Sequence, residues 1–344
     1  MVAAARLHGG LDSQFARALF IRGPRHQHQV MDSGSAPRVV SLGELLVEVM
    51  RKGVDQPLNL PGEFVGPFPS GAPAIFAAAV ARLGVPSGCI GVVGADDFGE
   101  CVLDRLRSEG VDVSRVRVAQ HHPTGIAFVA YEGDGSRRFV FTLGTSAAAL
   151  LSPDDVPPEY ARTAEVLHVT GSTLAVSEGS RQACYAAARE CAAAGGRVSF
   201  DPNLRPELLG GLSLASIVEP VLEVCSVLLP SAAEASMLTG LPDQALACRA
   251  LVERRIGVVA LKLGKLGSTV FTAEGSIDVP SIDVSEVDPT GAGDCYDAAF
   301  IVGLLEGWDL ATAARFANVA GALSVTRMGP MEGLPRRDEV LALL

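Results

Sequence analysis

The chain lacks paired cysteines, a histidine cluster and any apolar run long enough to cross a membrane. Its seven cysteines are scattered between Cys89 and Cys295, and it has six histidines in 344 residues. Without CxxC pairs or a group of histidines, the sequence indicates neither a zinc site nor a disulfide framework. Gly, Pro or charged residues interrupt every candidate apolar span, so no transmembrane helix is expected. These absences fit the reducing cytoplasm best.

Positive charge is also scarce. The formal net charge is −11 at pH 7, which argues against a general surface for nucleic acid or anionic membrane. A local basic pocket for phosphate is still compatible with this charge. With 48% hydrophobic and 19% charged residues, the composition is that of a globular protein with ample core. The length favours one large α/β domain with a small appendage.

The first residues differ from the rest. They carry Arg6, Arg17, Arg22 and Arg25 against Asp12 alone up to residue 30. An organellar presequence has such a composition, but a disordered arm, or a true start at Met31, is the simpler explanation. We predict a disordered N-terminal extension at residues 1–36 and a folded domain at 37–344.

Strand-like and helix-like patterns alternate from Arg38 onward. The segment "RVVSLGELLVEVM" has a β pattern, and "APAIFAAAVARLG" has a helical pattern that Gly84 closes before Pro86. Further strand and helix segments follow in the same rhythm, up to two long helices near the C-terminus. This alternation predicts an α/β fold with a doubly wound, mostly parallel sheet covered by helices on both faces. Ligands are expected at the carboxyl ends of its strands.

One segment interrupts that rhythm. In "GIAFVAYEGDGSRRFVFTLG", two alternating runs flank Gly133, Asp134 and Gly135, which is a hairpin signal. Together with "PLNLPGEFVGPF" upstream, it predicts a small antiparallel β lid, with strands within about residues 47–68 and 124–146.

The stretch "DPTGAGD" at residues 288–294 carries the clearest chemistry. Gly291, Ala292 and Gly293 stand where a loop becomes a helix, so free N–H groups and the helix dipole could hold an anion. Asp294 would lie beside that anion and could accept the proton of an attacking hydroxyl. A carboxylate at a helix start is also an ordinary stabilising charge. The combination of two glycines, an acid and an apolar helix favours the chemical interpretation. It is not the GxxxxGK[ST] phosphate loop.

Two long motifs resemble the ribokinase-like (PfkB) carbohydrate kinases. "DPTGAGDCYDAAFIVGLLEG" is similar to the C-terminal signature of that family, with Cys295 and Tyr296 at its variable and aromatic places. "PSGAPAIFAAAVARLGVPSGCIGVVGADDFGE" is similar to the N-terminal signature, with Ser70 for a glycine and Ile75 for an asparagine. The resemblance runs from about Arg38 to the C-terminus. Within the family, "DPNLR" and "GSTLAVSEGSR" resemble the 2-keto-3-deoxygluconate kinases, whereas "VGPFPSGAPAIF" and "AFVAYEGDGSRRFVF" resemble the tagatose kinases.

The resemblance implies roles for residues on the phosphoryl side. Asp294 would be the base, and Gly291, Ala292 and Gly293 would form the anion hole. Glu234 in "LLPSAAEA" would be associated with magnesium, although a solvated helix face also explains it. The nucleotide would be bound by Lys262, Gly264, Gly267 and Asn318. A G-x-x-G turn is by itself often only a tight turn, and Asn318 could be an ordinary polar helix residue.

The sugar side follows from the same resemblance. Polyols are held by carboxylates and amides that hydrogen-bond adjacent hydroxyls. Glu48 stands where many relatives place a sugar-binding Asp, but strand alternation with Glu44 could make it a solvated edge charge. The full set of expected sugar-binding residues is Glu48, Gly71, Ala72, Phe128, Asp201, Asn203 and Arg205.

Leu143 bears on the choice of sugar. It falls where kinases of 2-keto-3-deoxygluconate have an Arg that can meet the substrate carboxylate, and an anionic substrate would lack that partner here. We therefore expect a neutral ketohexose, tagatose first and fructose second, with 2-keto-3-deoxygluconate as the alternative. ATP and Mg²⁺ are the expected cofactors, with K⁺ as a further candidate.

Other functions are weighed against this one. A non-catalytic sugar-binding homologue would not need the intact GAGD, and a nucleoside kinase of the same family stays open. A dinucleotide-dependent enzyme would need GxGxxG after the first strand, where "SLGELLVEVM" stands. The expected partners are a small sugar and ATP, with a homodimer through the lid as an option.

Overall fold

The computed structural model describes residues 36–134, 136–204, 208–211 and 213–344. The predicted extension at residues 1–36 lies outside the described residues, apart from Ala36. The domain boundaries stay a prediction.

A nine-stranded sheet forms the centre of the fold. Its strand order is β13-β12-β11-β10-β9-β8-β1-β4-β5. All neighbours are parallel except the pairs β11–β12 and β12–β13, which are antiparallel. The strands are β1 (Val39–Leu42), β4 (Ser87–Gly94), β5 (Asp112–Ala119), β8 (Val166–Thr170), β9 (Arg197–Asp201), β10 (Cys225–Leu228), β11 (Val258–Lys262), β12 (Ser268–Thr272) and β13 (Gly275–Val279).

Helices cover both faces of this sheet, as the sequence predicts. Val39 and Val40, successive residues of β1, are fully buried in two different apolar clusters, because side chains alternate along a strand. The helices are α1 (Ala72–Arg82), α2 (Asp97–Ser108), α3 (Pro158–Thr163), α4 (Gly171–Val176), α5 (Glu178–Ala193), α6 (Leu214–Leu222), α7 (Ala232–Thr239), α8 (Gln244–Glu253), α9 (Ala292–Leu305), α10 (Leu310–Ser324) and α11 (Arg337–Leu341). Helices α1, α9 and α10 pack in one cluster, and α5, α6 and α8 pack in the other.

A separate small sheet confirms the predicted lid. Its order is β3-β2-β6-β7, with β2 (Leu46–Arg51), β3 (Phe64–Ser70), β6 (Gly125–Tyr131) and β7 (Arg137–Phe141). The two outer pairs are antiparallel, as expected, whereas the central pair β2–β6 is parallel. The β pattern "RVVSLGELLVEVM" thus divides between the two sheets, with Glu44 in the connection from β1 to β2.

A buried histidine lies within the main sheet. His168 of β8 stacks on Phe76 of α1 with ring centroids 3.8 Å apart, and its Nδ1 hydrogen-bonds Ser199 Oγ at 2.7 Å. Burial lowers the pKa of His168 to about 3, because the charged imidazolium is poorly solvated there. His168 is therefore neutral in the folded protein at neutral pH.

This burial predicts a loss of stability in mild acid. Between pH 6.5 and 3 the unfolded chain takes up a proton at His168 that the folded chain does not, so stability falls as pH falls through this window. The contribution is about 2 kcal/mol between pH 6.5 and 5. Urea unfolding of wild type and His168→Gln at both pH values measures it, and the variant should have a flatter dependence. His121→Gln, at an exposed position, should keep the wild-type curve; an unchanged slope in His168→Gln would contradict the assignment.

Candidate active site

The loop before α9 is held by Asp288, which is fully buried. Its Oδ1 accepts the N–H of Thr290 at 2.9 Å and the hydroxyl of Tyr131 at 2.8 Å, and its Oδ2 accepts the N–H of Gly329 at 2.8 Å. Asp288 therefore ties this loop to itself, to the end of lid strand β6 and to the chain beyond α10. Such fixed donors and acceptors reduce the reorganisation that an anion site needs when charge develops.

Gly291 makes the turn into α9. Its φ is +80°, a left-handed conformation that glycine adopts without a steric penalty. A Cβ at this position would lie 2.5 Å from the carbonyl oxygen of Pro330 and 3.2 Å from Ile75 Cγ2. Ile75, which replaces the asparagine of the family signature, thus packs against this turn. No side chain caps the helix, so the N–H groups of its first turn, which have no partner within the helix, point towards any bound anion.

Asp294 lies in this first turn and is buried, with 8% of its surface exposed. The predicted base and the predicted anion hole of Gly291, Ala292 and Gly293 therefore occupy one helix start. A carboxylate placed in this way can accept a proton beside a bound anion.

Three charged residues meet next to this helix start. The Lys262 ammonium lies 3.0 Å from Asp201 Oδ2 and 3.1 Å from both carboxylate oxygens of Asp297. Asp201 and Lys262 are the last residues of β9 and β11, and Asp297 belongs to α9. Asp201, which is expected to bind the sugar, and Lys262, which is expected to bind the nucleotide, are thus in contact with each other. Their roles towards ligands stay predictions.

The pKa values of this charged triad diverge. Burial raises the pKa of Asp297 well above its usual range; Lys262 opposes this, and the negative charge of Asp201 adds to it. Burial also raises the pKa of Asp201, but Lys262 and a hydrogen bond from Asp297 outweigh this effect and lower that pKa below its usual range. Burial would lower the pKa of Lys262, yet the two aspartates raise it. The pKa values of the two aspartates thus shift in opposite directions, that of Asp297 upwards and that of Asp201 downwards, while Lys262 stays charged.

The sugar-side residues lie between the lid and α1. Glu48 of β2 is buried, with 7% exposed, and β2 is an inner strand that lies between β3 and β6. The alternative of a solvated edge charge is therefore wrong. The Ser70 hydroxyl donates to Glu48 Oε1 at 2.6 Å, which explains a serine where the family signature has glycine. Gly71 has a φ of +109° and precedes Ala72, the first residue of α1. Phe128 of β6 packs edge-on against Phe64 with centroids 5.9 Å apart.

The segment after β9 is partly described. The N–H of Asn203 donates to Asp201 Oδ1 at 3.1 Å, and Arg205 lies outside the described residues. Glu234 is buried, so the solvated helix face is wrong for it as well. Its two oxygens accept the N–H groups of Leu204 at 2.8 Å and Ser231 at 2.7 Å. Among the described residues, no group of three or more His, Cys, Asp or Glu side chains could hold a metal ion.

The predicted nucleotide residues converge on one stretch of chain. Gly264 and Gly267 have φ angles of +58° and +101°, and a Cβ on Gly267 would lie 2.1 Å from the carbonyl oxygen of Val279. The side-chain amide of Asn318 donates to the carbonyls of Val279, at 2.9 Å, and Pro280, at 3.4 Å. The G-x-x-G turn and α10 therefore meet at the end of β13. Whether they bind a nucleotide stays a prediction.

Several residues of the site escape the sequence argument. Asp297 could have been noticed, since residues three apart share a helix face, and Asp288 begins a typical Asx turn. Two lid residues of the site have no local signal in the sequence. The Tyr131 hydroxyl donates to Asp288, and Arg137 Nη1 donates to Thr290 Oγ1 at 3.1 Å. Both contacts join positions far apart in the chain.

Comparison with known proteins places this geometry in a family. Residues 36–337 match the pfkB family carbohydrate kinases. A 2-dehydro-3-deoxygluconokinase of Bacillus subtilis (strain 168) is 33% identical over 279 residues, which cover 80% of this chain and 86% of the relative. The structure of a putative ribokinase II from E. coli in complex with ATP and Mg²⁺ is similar with a TM-score of 0.84 and 39% identity, covering 89% of this chain and 98% of that one.

A third protein in the comparison is a fructokinase from Vibrio cholerae O395, solved with fructose, ADP and a calcium ion. It has a TM-score of 0.78 and 30% identity, and the match covers 91% of this chain and 100% of that one. A double mutant of the same fructokinase was solved with fructose, ADP and a potassium ion. The chain belongs to the pfkB family of carbohydrate kinases, and it is a sugar kinase. None of the helices in the described part of the chain has the length and apolar character to cross a membrane.

Gly291 offers a direct test of the helix-start geometry. Gly291→Ala should lower both stability and kcat for two reasons. The new Cβ would clash with the Pro330 carbonyl, and alanine is strained at the positive φ of this position. Gly110→Ala is a matched control, with a φ of +82° and nothing within 4 Å of the added Cβ. We expect about 1 kcal/mol of destabilisation in the control from backbone strain alone. Gly291→Ala should lose more and should reduce kcat at least tenfold. Equal effects of the two variants in urea unfolding and turnover would contradict this account.

Proposed function

We propose that the protein transfers the γ-phosphoryl group of ATP to a hydroxyl of a neutral ketohexose of the tagatose or fructose type. The observation that carries the proposal is Asp294, buried in the first turn of α9 beside the uncapped N–H groups of that helix. A proton acceptor and an anion site in one helix turn suit phosphoryl transfer to an alcohol. The ATP-bound and fructose-bound relatives support this assignment.

In this mechanism the chain positions its reactants and stabilises charge. Glu48 and Gly71 would hold the sugar so that one hydroxyl, which we expect to be the primary one, faces Asp294. Asp294 would take the proton of that hydroxyl as it attacks in line, and the N–H groups of Gly291, Ala292 and Gly293 would stabilise the transferring group. Lid strands β2, β3, β6 and β7 would exclude water, which otherwise hydrolyses ATP.

The described residues fit nucleotide and metal. Apart from its chain neighbours and the backbone of α9 itself, a Cβ built on Gly293 would meet only the Lys262 ammonium among the described residues, at 3.6 Å, so the helix start leaves room for a phosphoryl group. When bound, Mg²⁺ neutralises phosphate charge, and an ion carried by phosphate oxygens and water needs only one or two carboxylates. Glu234 is the residue that we expect to approach it. K⁺ is a further candidate because the fructokinase double mutant contains it.

The preference for a neutral sugar rests on Leu143. It is buried in a small apolar cluster with Leu46, Ala127 and Ala148, so it offers no charged partner to a substrate carboxylate. The second candidate is 2-keto-3-deoxygluconate, favoured by the Bacillus relative and by Arg137, which brings positive charge to Thr290.

The substrate assignment is tested by comparing kcat/KM for tagatose, fructose and 2-keto-3-deoxygluconate with Mg²⁺-ATP. We expect the ketohexoses to be preferred at least tenfold, because an unpaired carboxylate in a partly buried site is costly. Arg137→Gln should then change the ketohexose values little. A strong preference for the keto acid, lost in Arg137→Gln, would replace this proposal with the second candidate.

The base is tested by Asp294→Asn. The variant should lower kcat by about 10²–10⁴-fold with little change in sugar affinity, because the amide cannot accept the proton. Asp338→Asn is a matched control, since Asp338 is an exposed carboxylate in the first turn of α11, and it should keep wild-type turnover. Release of ADP and formation of sugar phosphate are the measurements. Near-wild-type turnover in Asp294→Asn would reject the role.

A further inference from the structure

We propose that Lys262, held between Asp201 and Asp297, is a positioning residue that fixes the start of α9 and places a positive charge beside the anion hole. The inference rests on the proposed phosphoryl transfer and adds a residue to it. Its expected consequence is a contribution to kcat that exceeds any contribution to ATP affinity.

The strand order makes the Lys262 contact possible. β10 lies between β9 and β11, so the ends of β9 and β11 are about 10 Å apart, twice the spacing of neighbouring strands. β10 ends at Leu228, and the N–H of Lys262 donates to the Pro230 carbonyl at 2.8 Å. The long lysine side chain crosses this gap to reach Asp201.

The same ammonium joins the sheet to α9. Asp297 lies one turn beyond Asp294 on the same side of the helix, and both of its oxygens are 3.1 Å from the lysine nitrogen. The Asp297 side chain is fully buried and that of Lys262 is 14% exposed. A buried lysine with two carboxylate partners has few alternative positions, so the helix start is fixed relative to the carboxyl ends of β9 and β11.

The ammonium also lies next to the anion hole itself. A Cβ built on Gly293 would be 3.6 Å from Lys262 Nζ, and apart from its chain neighbours and the backbone of α9 itself no other atom of the described residues comes within 4 Å of it. Because Gly293 has no side chain, the Lys262 ammonium is separated from the backbone of the helix start by little more than one van der Waals contact. In a water-excluded site, a fixed charge at this distance acts strongly on charge that develops nearby.

Lys262 brings a positive charge next to Gly293. Its two aspartate partners have pKa values that shift in opposite directions, with that of Asp297 raised and that of Asp201 lowered, so the pair carries less negative charge than two separate carboxylates would. Interactions that strengthen as charge builds on the transferring group raise kcat, whereas uniform binding of substrate would change KM.

The variant Lys262→Met tests the proposal. We expect kcat to fall about 100-fold, as on loss of one oxyanion donor, with the KM for ATP within about threefold of wild type. Affinity for ADP with Mg²⁺ and aluminium fluoride, a mimic of the transferring phosphoryl, should fall by a similar factor when measured by calorimetry. Arg107→Met is the control, since Arg107 is an exposed cation on α2 that pairs with Asp104; it should match wild type in every assay.

A second variant separates charge from folding. Lys262→Met leaves Asp201 without its cation, and we expect it to be destabilised for that reason alone. The double variant Asp201→Asn with Lys262→Met therefore removes both charges at similar volume. We expect its thermal stability to recover while kcat and aluminium-fluoride affinity stay low. Recovery of kcat together with stability would overturn the proposal and leave Lys262 a purely structural residue.

Two further outcomes would also overturn it. A kcat within threefold of wild type in Lys262→Met would show that the charge does not act on the reaction. A large rise in the KM for ATP with kcat unchanged would make Lys262 a ground-state contact of the nucleotide. Failure of the kinase assignment itself is recognised separately, because wild type and Arg107→Met would then phosphorylate no sugar and would not bind ADP with aluminium fluoride.

Discussion

The contact of one buried lysine with two aspartates holds together the parts on which this active site depends. Lys262 ends one strand, Asp201 ends another, and Asp297 belongs to the helix whose first turn carries Asp294. Removing Lys262 would leave the buried Asp201 without its cation, which costs more than the intact pair contributes. The contacts of these three charged or ionisable side chains thus fix the geometry of the site, and the apolar clusters on both faces of the sheet hold the strands and the helix that carry them.

The lid is linked to the same region through a second polar network. Tyr131 at the end of β6 donates to Asp288, and Arg137 at the start of β7 donates to Thr290. Asp288 and Thr290 lie immediately before Gly291, the turn into α9. The lid strands β6 and β7 are therefore hydrogen-bonded to the loop that leads into α9.

Departures from the family signatures have physical counterparts in the structure. Ser70, in place of glycine, donates its hydroxyl to Glu48, and Ile75, in place of asparagine, packs against Gly291. Leu143 is buried among apolar residues instead of presenting a charge, which is consistent with a substrate that has no carboxylate.

The sequence alone determined the alternation of strands and helices, the small lid sheet and the helix start with its acid. Each of these follows from local periodicity or from glycines within a few residues, and local patterns are what a sequence shows directly. It could not show that Asp201, Lys262 and Asp297 meet, that Glu48 and Glu234 are buried, or that Tyr131 reaches Asp288. Those contacts depend on strand order, above all on β10 lying between β9 and β11, and on how α9 packs against that edge. Only the tertiary structure decides such contacts, because partners distant in the chain leave no local trace in its periodicity.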